Sequence, residues 1–247
     1  MSLTNECFQS VRHEGTPEGT IEEIGGVPCY VSTPAEDYPK DKVVLFLTDV
    51  FGLAQNNKLV ADDFARNGFK TIVPDYLESD PIPPFDQHAT LGFNREAWMA
   101  RHGPAQLRPI LDKVIAALKA DGVTRIGTTG YCLGARYSFD LAFENITHVT
   151  IVSHPSRLEI SDLEKYAEVS KAPLLINSCE TDNPFPPEKQ AAADKILGDK
   201  FAPGYKRTYA DGCSHGFAVR ADVSDPKVKA GKEAAFKASV EWFQKYL

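Results

Sequence analysis

Short apolar runs alternate with segments of helical periodicity along most of this chain, and that alternation constrains its fold more than any other feature. Lys42–Thr48 is almost continuously apolar, as expected of a strand covered on both faces. Lys58–Asn67 has helical spacing and stops at Gly68, a residue suited to ending a helix. Phe69–Pro74, Arg125–Gly130, Val149–Ser153, Pro173–Ser178 and Lys206–Tyr209 read as further strands. Between and after them Pro104–Ala120, Leu133–Phe143, Glu188–Leu197 and Val228–Tyr246 read as helices. Strands that alternate with helices predict an α/β protein with a mostly parallel sheet flanked by helices on both faces. Ahead of this pattern, Thr20–Ile24 and Val27–Thr33 are split by Gly25-Gly26 and predict an N-terminal hairpin. A chain of 247 residues suits one domain over 1–247. Residues 78–103 break the rhythm with Pro81, Pro83 and Pro84 among Phe85, His88, Phe93 and Trp98, and are expected to form an irregular cap or rim.

Composition removes several classes of function. The formal net charge is −7 and no basic cluster offsets it, so nucleic acid and anionic membrane surfaces are poor partners. Met1–Gly19 is polar and has no apolar stretch of the secretory kind, and no apolar run is long enough to span a bilayer. Cys7, Cys29, Cys132, Cys179 and Cys213 form no close pair and no metal-ligand spacing, which reads as reduced thiols in a cytoplasmic protein. His13, His88, His102 and His148 join no constellation, so no metal is expected.

In a parallel sheet of this type, function gathers at the carboxyl ends of the strands. One such end reads Gly130-Tyr-Cys132-Leu-Gly134, between a predicted strand and a predicted helix. The Gly-x-nucleophile-x-Gly spacing suits a sharp turn in which side chains two residues either way would collide with helix or neighbouring strand. The turn lifts Sγ above the sheet at a helix N-terminus, where the dipole favours a thiolate. The bland reading, a buried thiol in a glycine-rich turn, loses ground because an acid and then a histidine follow in the required order. Asp182 lies just past the strand Pro173–Ser178, and His215 lies in the flexible segment after Lys206–Tyr209. Glu180 is the rival acid, closer to the strand body. His154 precedes the acid, so it is expected to line a pocket rather than serve as base.

Taken with Asp49-Val-Phe-Gly52, Val73-Pro-Asp-Tyr76, His154-Pro155 and His215-Gly-Phe217, the Gly-Tyr-Cys-x-Gly turn resembles the dienelactone hydrolase (carboxymethylenebutenolidase-like) family of the α/β-hydrolase fold, from about Gly19 to Leu247. The resemblance implies a triad of Cys132, His215 and Asp182, no cofactor, and an oxyanion hole from the backbone N–H groups of Val50 and Leu133. It also implies that Asp49 faces the resting thiol and governs its ionisation. The best-known members carry Glu there, one methylene longer. Family enzymes acting on carboxylated lactones hold the carboxylate with arginines, and the candidates here are Arg95, Arg101 and Arg220, the last one residue beyond the expected place.

The expected activity is hydrolysis of a small-molecule carboxylic ester or lactone through an acyl-thioester on Cys132, with Phe85, Phe93 and Trp98 as apolar pocket wall. A monomer or weak homodimer is expected. The competing readings are a non-catalytic binding protein that keeps the pocket, and a thiol redox enzyme with Cys213 as resolving thiol.

Overall fold

The computed structural model describes residues 14–247, so Cys7 and His13 lie outside the described residues. Eight strands form one mixed sheet in the order β1-β2-β4-β3-β5-β6-β7-β8. The strands are β1 (Thr20–Ile24), β2 (Val27–Ser32), β3 (Lys42–Leu47), β4 (Thr71–Pro74), β5 (Arg125–Tyr131), β6 (Val149–Ser153), β7 (Leu174–Thr181) and β8 (Tyr205–Ser214). β1, β2 and β4 pair antiparallel; every pairing from β4 through β3 to β8 is parallel. This is the mostly parallel, helix-flanked sheet expected from the alternation, and it agrees with the α/β-hydrolase fold that the resemblance implies.

The hairpin turns at Gly25 and Gly26, whose φ values of 61° and 75° match the left-handed pair required by a two-residue turn. The central strands are buried on both faces because helices cover each side. On one face α1 (Gln55–Arg66) and α8 (Pro226–Tyr246) pack around Phe64, Phe236 and Phe243. On the other, α3 (Pro104–Ala120) and α4 (Leu133–Phe143) pack with Leu107, Leu111, Val114 and Tyr137 against β3 and β5. Two further helices, α5 (Ile160–Val169) and α6 (Pro187–Leu197), cover β6 and β7 through Leu163, Tyr166 and Leu197.

The segment 78–103 is more ordered than its prolines imply. It holds a 3-10 turn at Phe85–Gln87 and a short helix α2 (Arg95–Arg101), whose first turn is capped by Asn94 Oδ1 accepting from Ala97 N–H at 2.9 Å. Trp98 on α2 is fully buried, stacks on His102 at 4.1 Å and donates Nε1–H to the carbonyl of Asp80 at 2.8 Å. Trp98 is therefore core beneath the rim, not pocket wall: a ring with no accessible surface has nothing to offer a ligand. The stretch after Tyr209 also departs from expectation. Asp211 to Ser214 continues β8, and a register shift between Cys179 and Thr181 absorbs the irregularity. Among the described residues no helix is long and apolar enough to cross a membrane.

Trp98→Ala should lower the unfolding free energy by about 3–5 kcal/mol, read from urea titration. The ratio of KM for aromatic and small acetate esters should stay at the wild-type value; a changed ratio would return Trp98 to the pocket.

Candidate active site

The carboxyl ends of β3, β5, β6, β7 and β8 meet around Cys132. Cys132 follows β5 directly, caps α4, and holds φ 50°, ψ −109°, a conformation that L residues rarely adopt. Two glycines make this turn sterically possible. A Cβ on Gly134 would lie 2.0 Å from the carbonyl oxygen of Leu47, and one on Gly130 would lie 2.4 Å from Ser138 Oγ. The first turn of α4 thus rests on the end of β3, against the carbonyls of Leu47 and Thr48.

β7 and β8 bring Asp182 and His215 to the same place. His215 N–H donates to the carbonyl of Thr181 at 2.9 Å, so the histidine stands opposite Asp182 across the last strand pair. The imidazole Nδ1–H donates to Asp182 Oδ1 at 2.8 Å, and that carboxylate is fully shielded from solvent. Asp182 Oδ1 also accepts from Phe185 N–H at 3.2 Å, so it is a turn residue as well as a partner of His215. Burial lowers the proton affinity of His215, but hydrogen bonds with Asp182 and Cys132 outweigh it and push its pKa up to about 9. Glu180 points elsewhere: its carboxylate is used by Gly212 N–H at 2.7 Å.

Segment 48–52 is held from several sides. Tyr76 O–H donates to the carbonyl of Thr48 at 2.5 Å, and Ile82 N–H of the cap donates to the carbonyl of Val50 at 2.9 Å. Asp49 is fully buried and accepts from Phe51 N–H and Asn57 Nδ2 at 3.1 Å each and from Arg220 at 3.0 Å. Its oxygens are engaged by these donors, so any influence of Asp49 on the thiol acts by charge rather than by a hydrogen bond. The N–H groups of Val50 and Leu133 meet no acceptor among the described residues.

A cleft of about 500 Å³ opens beside this cluster, lined by Phe51, Asn57, Phe85, His215, Val219 and Arg220 among others. Phe85 is 65% exposed and meets Phe51 edge-on at 5.4 Å; Phe93 is half-buried and packs on His88 at 4.5 Å. Arg220, on the short helix α7 (Phe217–Arg220), lies 4.8 Å from the Phe51 ring, but its charge is already met by Asp49. Arg101 is paired with Asp80 at 2.6 Å, and Arg95 is an exposed residue at the start of α2. His154 is fully buried, edge-on to His215 at 5.0 Å, with neither ring nitrogen partnered among the described residues. Burial first, then the charges of His215 and Arg220, hold its pKa well below the usual imidazole range, so it stays neutral. Cys213 is buried against Gly231, and burial raises its thiol pKa, which makes it a poor resolving thiol.

Asn57 and Ser156 carried no role in the sequence reading, and Tyr76 entered it only as part of the motif Val73-Pro-Asp-Tyr76. Ser156 Oγ lies 3.6 Å from Cys132 Sγ. Nothing in the spacing of these residues marks them, because each acts through a tertiary contact. A larger hollow of about 620 Å³ lies at the opposite ends of the strands, between Lys42, Phe69 and Leu247, but its lining has no histidine or cysteine. Among the described residues no cluster of His, Cys, Asp or Glu could hold a metal ion.

The model of the dienelactone hydrolase family matches residues 27–247. A protein of Aspergillus violaceofuscus named Hydrolase pyvD is 36% identical, covering 98% of this chain and 96% of its own length. Dienlactone hydrolase 1 of Gibberella moniliformis is 31% identical over 98% of this chain and 93% of its own. The crystal structure of a dienelactone hydrolase from Anabaena variabilis superposes with a TM-score of 0.65 at 16% identity, covering 94% of this chain and all of the other (100%).

The raised proton affinity of His215 has a consequence for stability. A group whose pKa is near 6.5 unfolded and about 9 folded stabilises the fold fully below 6.5, and the contribution disappears as pH rises through about 9. The unfolding free energy should therefore fall by about 3 kcal/mol between those limits, and His215→Asn should flatten that part of the profile. Equal slopes in both proteins would contradict the assigned environment.

Proposed function

The chain belongs to the dienelactone hydrolase family, and from that premise we propose that it hydrolyses carboxylic esters or lactones with Cys132 as nucleophile, His215 as base and Asp182 as the residue that orients the base. The observation that carries this reading is the 2.8 Å bond from His215 Nδ1 to a shielded Asp182, at a ring whose proton affinity the nearby Cys132 thiol also raises. The bond fixes the tautomer, so Nε2 is the nitrogen that exchanges the proton with sulfur.

The sulfur attacks the acyl carbon while His215 holds the thiol proton. Negative charge collects on the carbonyl oxygen, where the N–H groups of Val50 and Leu133 are the donors without acceptors, each worth about 3–4 kcal/mol in comparable sites. Collapse breaks the bond to the alcohol oxygen, which takes the proton from His215, and leaves an acyl-thioester. Water then gives a proton to His215 and attacks the thioester; the C–S bond breaks and its electron pair returns to sulfur. The acid departs and the resting pair is restored. Phe85 and Phe51 give the cleft an apolar wall for the part of the substrate away from the reacting carbonyl.

Turnover of an aryl ester and of a lactone panel, each with and without a carboxylate, tests the reading. Cys132→Ala should abolish hydrolysis with an unchanged melting temperature; wild-type turnover would remove Cys132 from the mechanism. His215→Ala should cost more than Asp182→Asn, which keeps the ring in place while losing charge; removing triad members costs about 10⁴-fold or more in related catalysts.

Asp49 offers a separate test. Its negative charge disfavours a thiolate nearby, and its removal also leaves the Arg220 guanidinium without its counter-charge. Asp49→Asn should accelerate alkylation of Cys132 by iodoacetamide in the absence of substrate near neutral pH, by about threefold or more. An unchanged or slower rate, followed by mass spectrometry, would end the gating reading and leave Asp49 as the residue that caps the following turn.

A further inference from the structure

The triad leaves one contact on the reacting sulfur unexplained. The loop after β6 wraps the turn at Cys132: Cys132 N–H donates to the carbonyl of Ser153 at 3.2 Å, and Ser156 N–H donates to the carbonyl of Cys132 at 3.0 Å. The Ser156 hydroxyl then lies 3.6 Å from Sγ. This placement is costly. His154 and Arg157 on either side both adopt left-handed backbone, with φ 38° and 57°, without being glycine. Strain of that kind concentrates where function holds it. The half-buried Ser156 side chain has no other hydrogen-bond partner among the described residues, so the thiol is its sole protein contact of that type.

We propose that Ser156 is a fourth catalytic residue, whose hydroxyl donates a hydrogen bond to the sulfur of Cys132 whenever that sulfur carries negative charge. The inference rests on the reading of Cys132 as nucleophile. The other groups facing the sulfur have different duties. His215, backed by Asp182, exchanges the proton. Asp49 is paired with Arg220, and the Tyr76 hydroxyl is committed to the carbonyl of Thr48. Leu133 N–H at the start of α4 serves the oxyanion. Ser156 alone supplies an uncharged donor that takes no part in proton transfer. It therefore remains in place through both halves of the reaction, and it matters most when the thioester C–S bond breaks and the electron pair returns to sulfur. A donor to the charged form also favours ionisation, so its loss moves thiolate formation to higher pH.

Ser156→Ala and Ser156→Thr test this, with the pH dependence of iodoacetamide alkylation at Cys132 and steady-state turnover of an aryl ester as readouts. Ser156→Ala should move the pH of half-maximal alkylation up by about one unit and lower kcat by about tenfold, with KM within about twofold. Ser156→Thr, which keeps the hydroxyl, should stay near wild type in both. A structural role alone would lower the melting temperature and leave the alkylation profile where it was. Wild-type alkylation and turnover in Ser156→Ala would overturn the proposal, as would equal shifts in the Ala and Thr variants. In either case a dead Cys132→Ala enzyme would leave the nucleophile reading standing. Turnover retained in Cys132→Ala would overturn both.

Discussion

The site depends on how closely the first turn of α4 approaches the end of β3. With no side chain at Gly134, the helix backbone rests against the carbonyl of Leu47, a separation that any Cβ would forbid. Gly130 allows the same closeness on the strand side, against Ser138. The approach has two results. It forces Cys132 into a left-handed turn at a helix N-terminus, and it sets the first turn of α4 against Leu47 and Thr48, just ahead of Val50. Nucleophile and oxyanion donors in the proposed mechanism are thus consequences of one steric contact. The strain at Cys132 is held by bonds from the loop after β6, so the turn does not relax when substrate is absent.

Asp49 organises the other wall. Buried carboxylates are retained when donors surround them, and this one gathers a backbone N–H, an amide and a guanidinium. Those donors come from three parts of the chain: its own turn, α1 and α7. Asp49 thereby ties the segment Thr48–Gly52 to the helix that follows His215. The same geometry explains why Arg220, although it lines the cleft, is not spare charge awaiting a substrate anion.

Much of this was legible in the sequence because it is written locally. The strand runs, the paired glycines of the hairpin and the Gly-x-Cys-x-Gly spacing each depend on neighbours in the chain, and the order Cys132, Asp182, His215 follows from strand order. What escaped was decided at a distance. Trp98 looked like a pocket aromatic among prolines, yet α2 turns it inward, where Asp80 and His102 complete its contacts. α5 escaped because its cap pairs Glu159 with Asp162, and neither residue is the usual opening signal of a helix. Asp211-Gly212 looked like a turn, but the shift in register between β7 and β8 lets the strand run on to Ser214. Ser156 carried no signal at all, since its relation to Cys132 exists only once β5 and β6 are paired.

His154 shows how the charge balance of the site is kept. A buried imidazole with no hydrogen-bond partner is costly, and it is most costly when protonated. Its neighbours reinforce that penalty: His215 stands 5.0 Å away with a raised proton affinity, and Arg220 is near enough to depress its pKa. A charge on His154 would repel the imidazolium that the proposed chemistry forms on His215 and drive the proton off it. Because burial keeps His154 neutral, the imidazolium charge of the proposed chemistry stays on the one ring that Asp182 holds. The edge-on ring fills the space behind His215 without competing for the proton, which an acidic or basic side chain in that place would do.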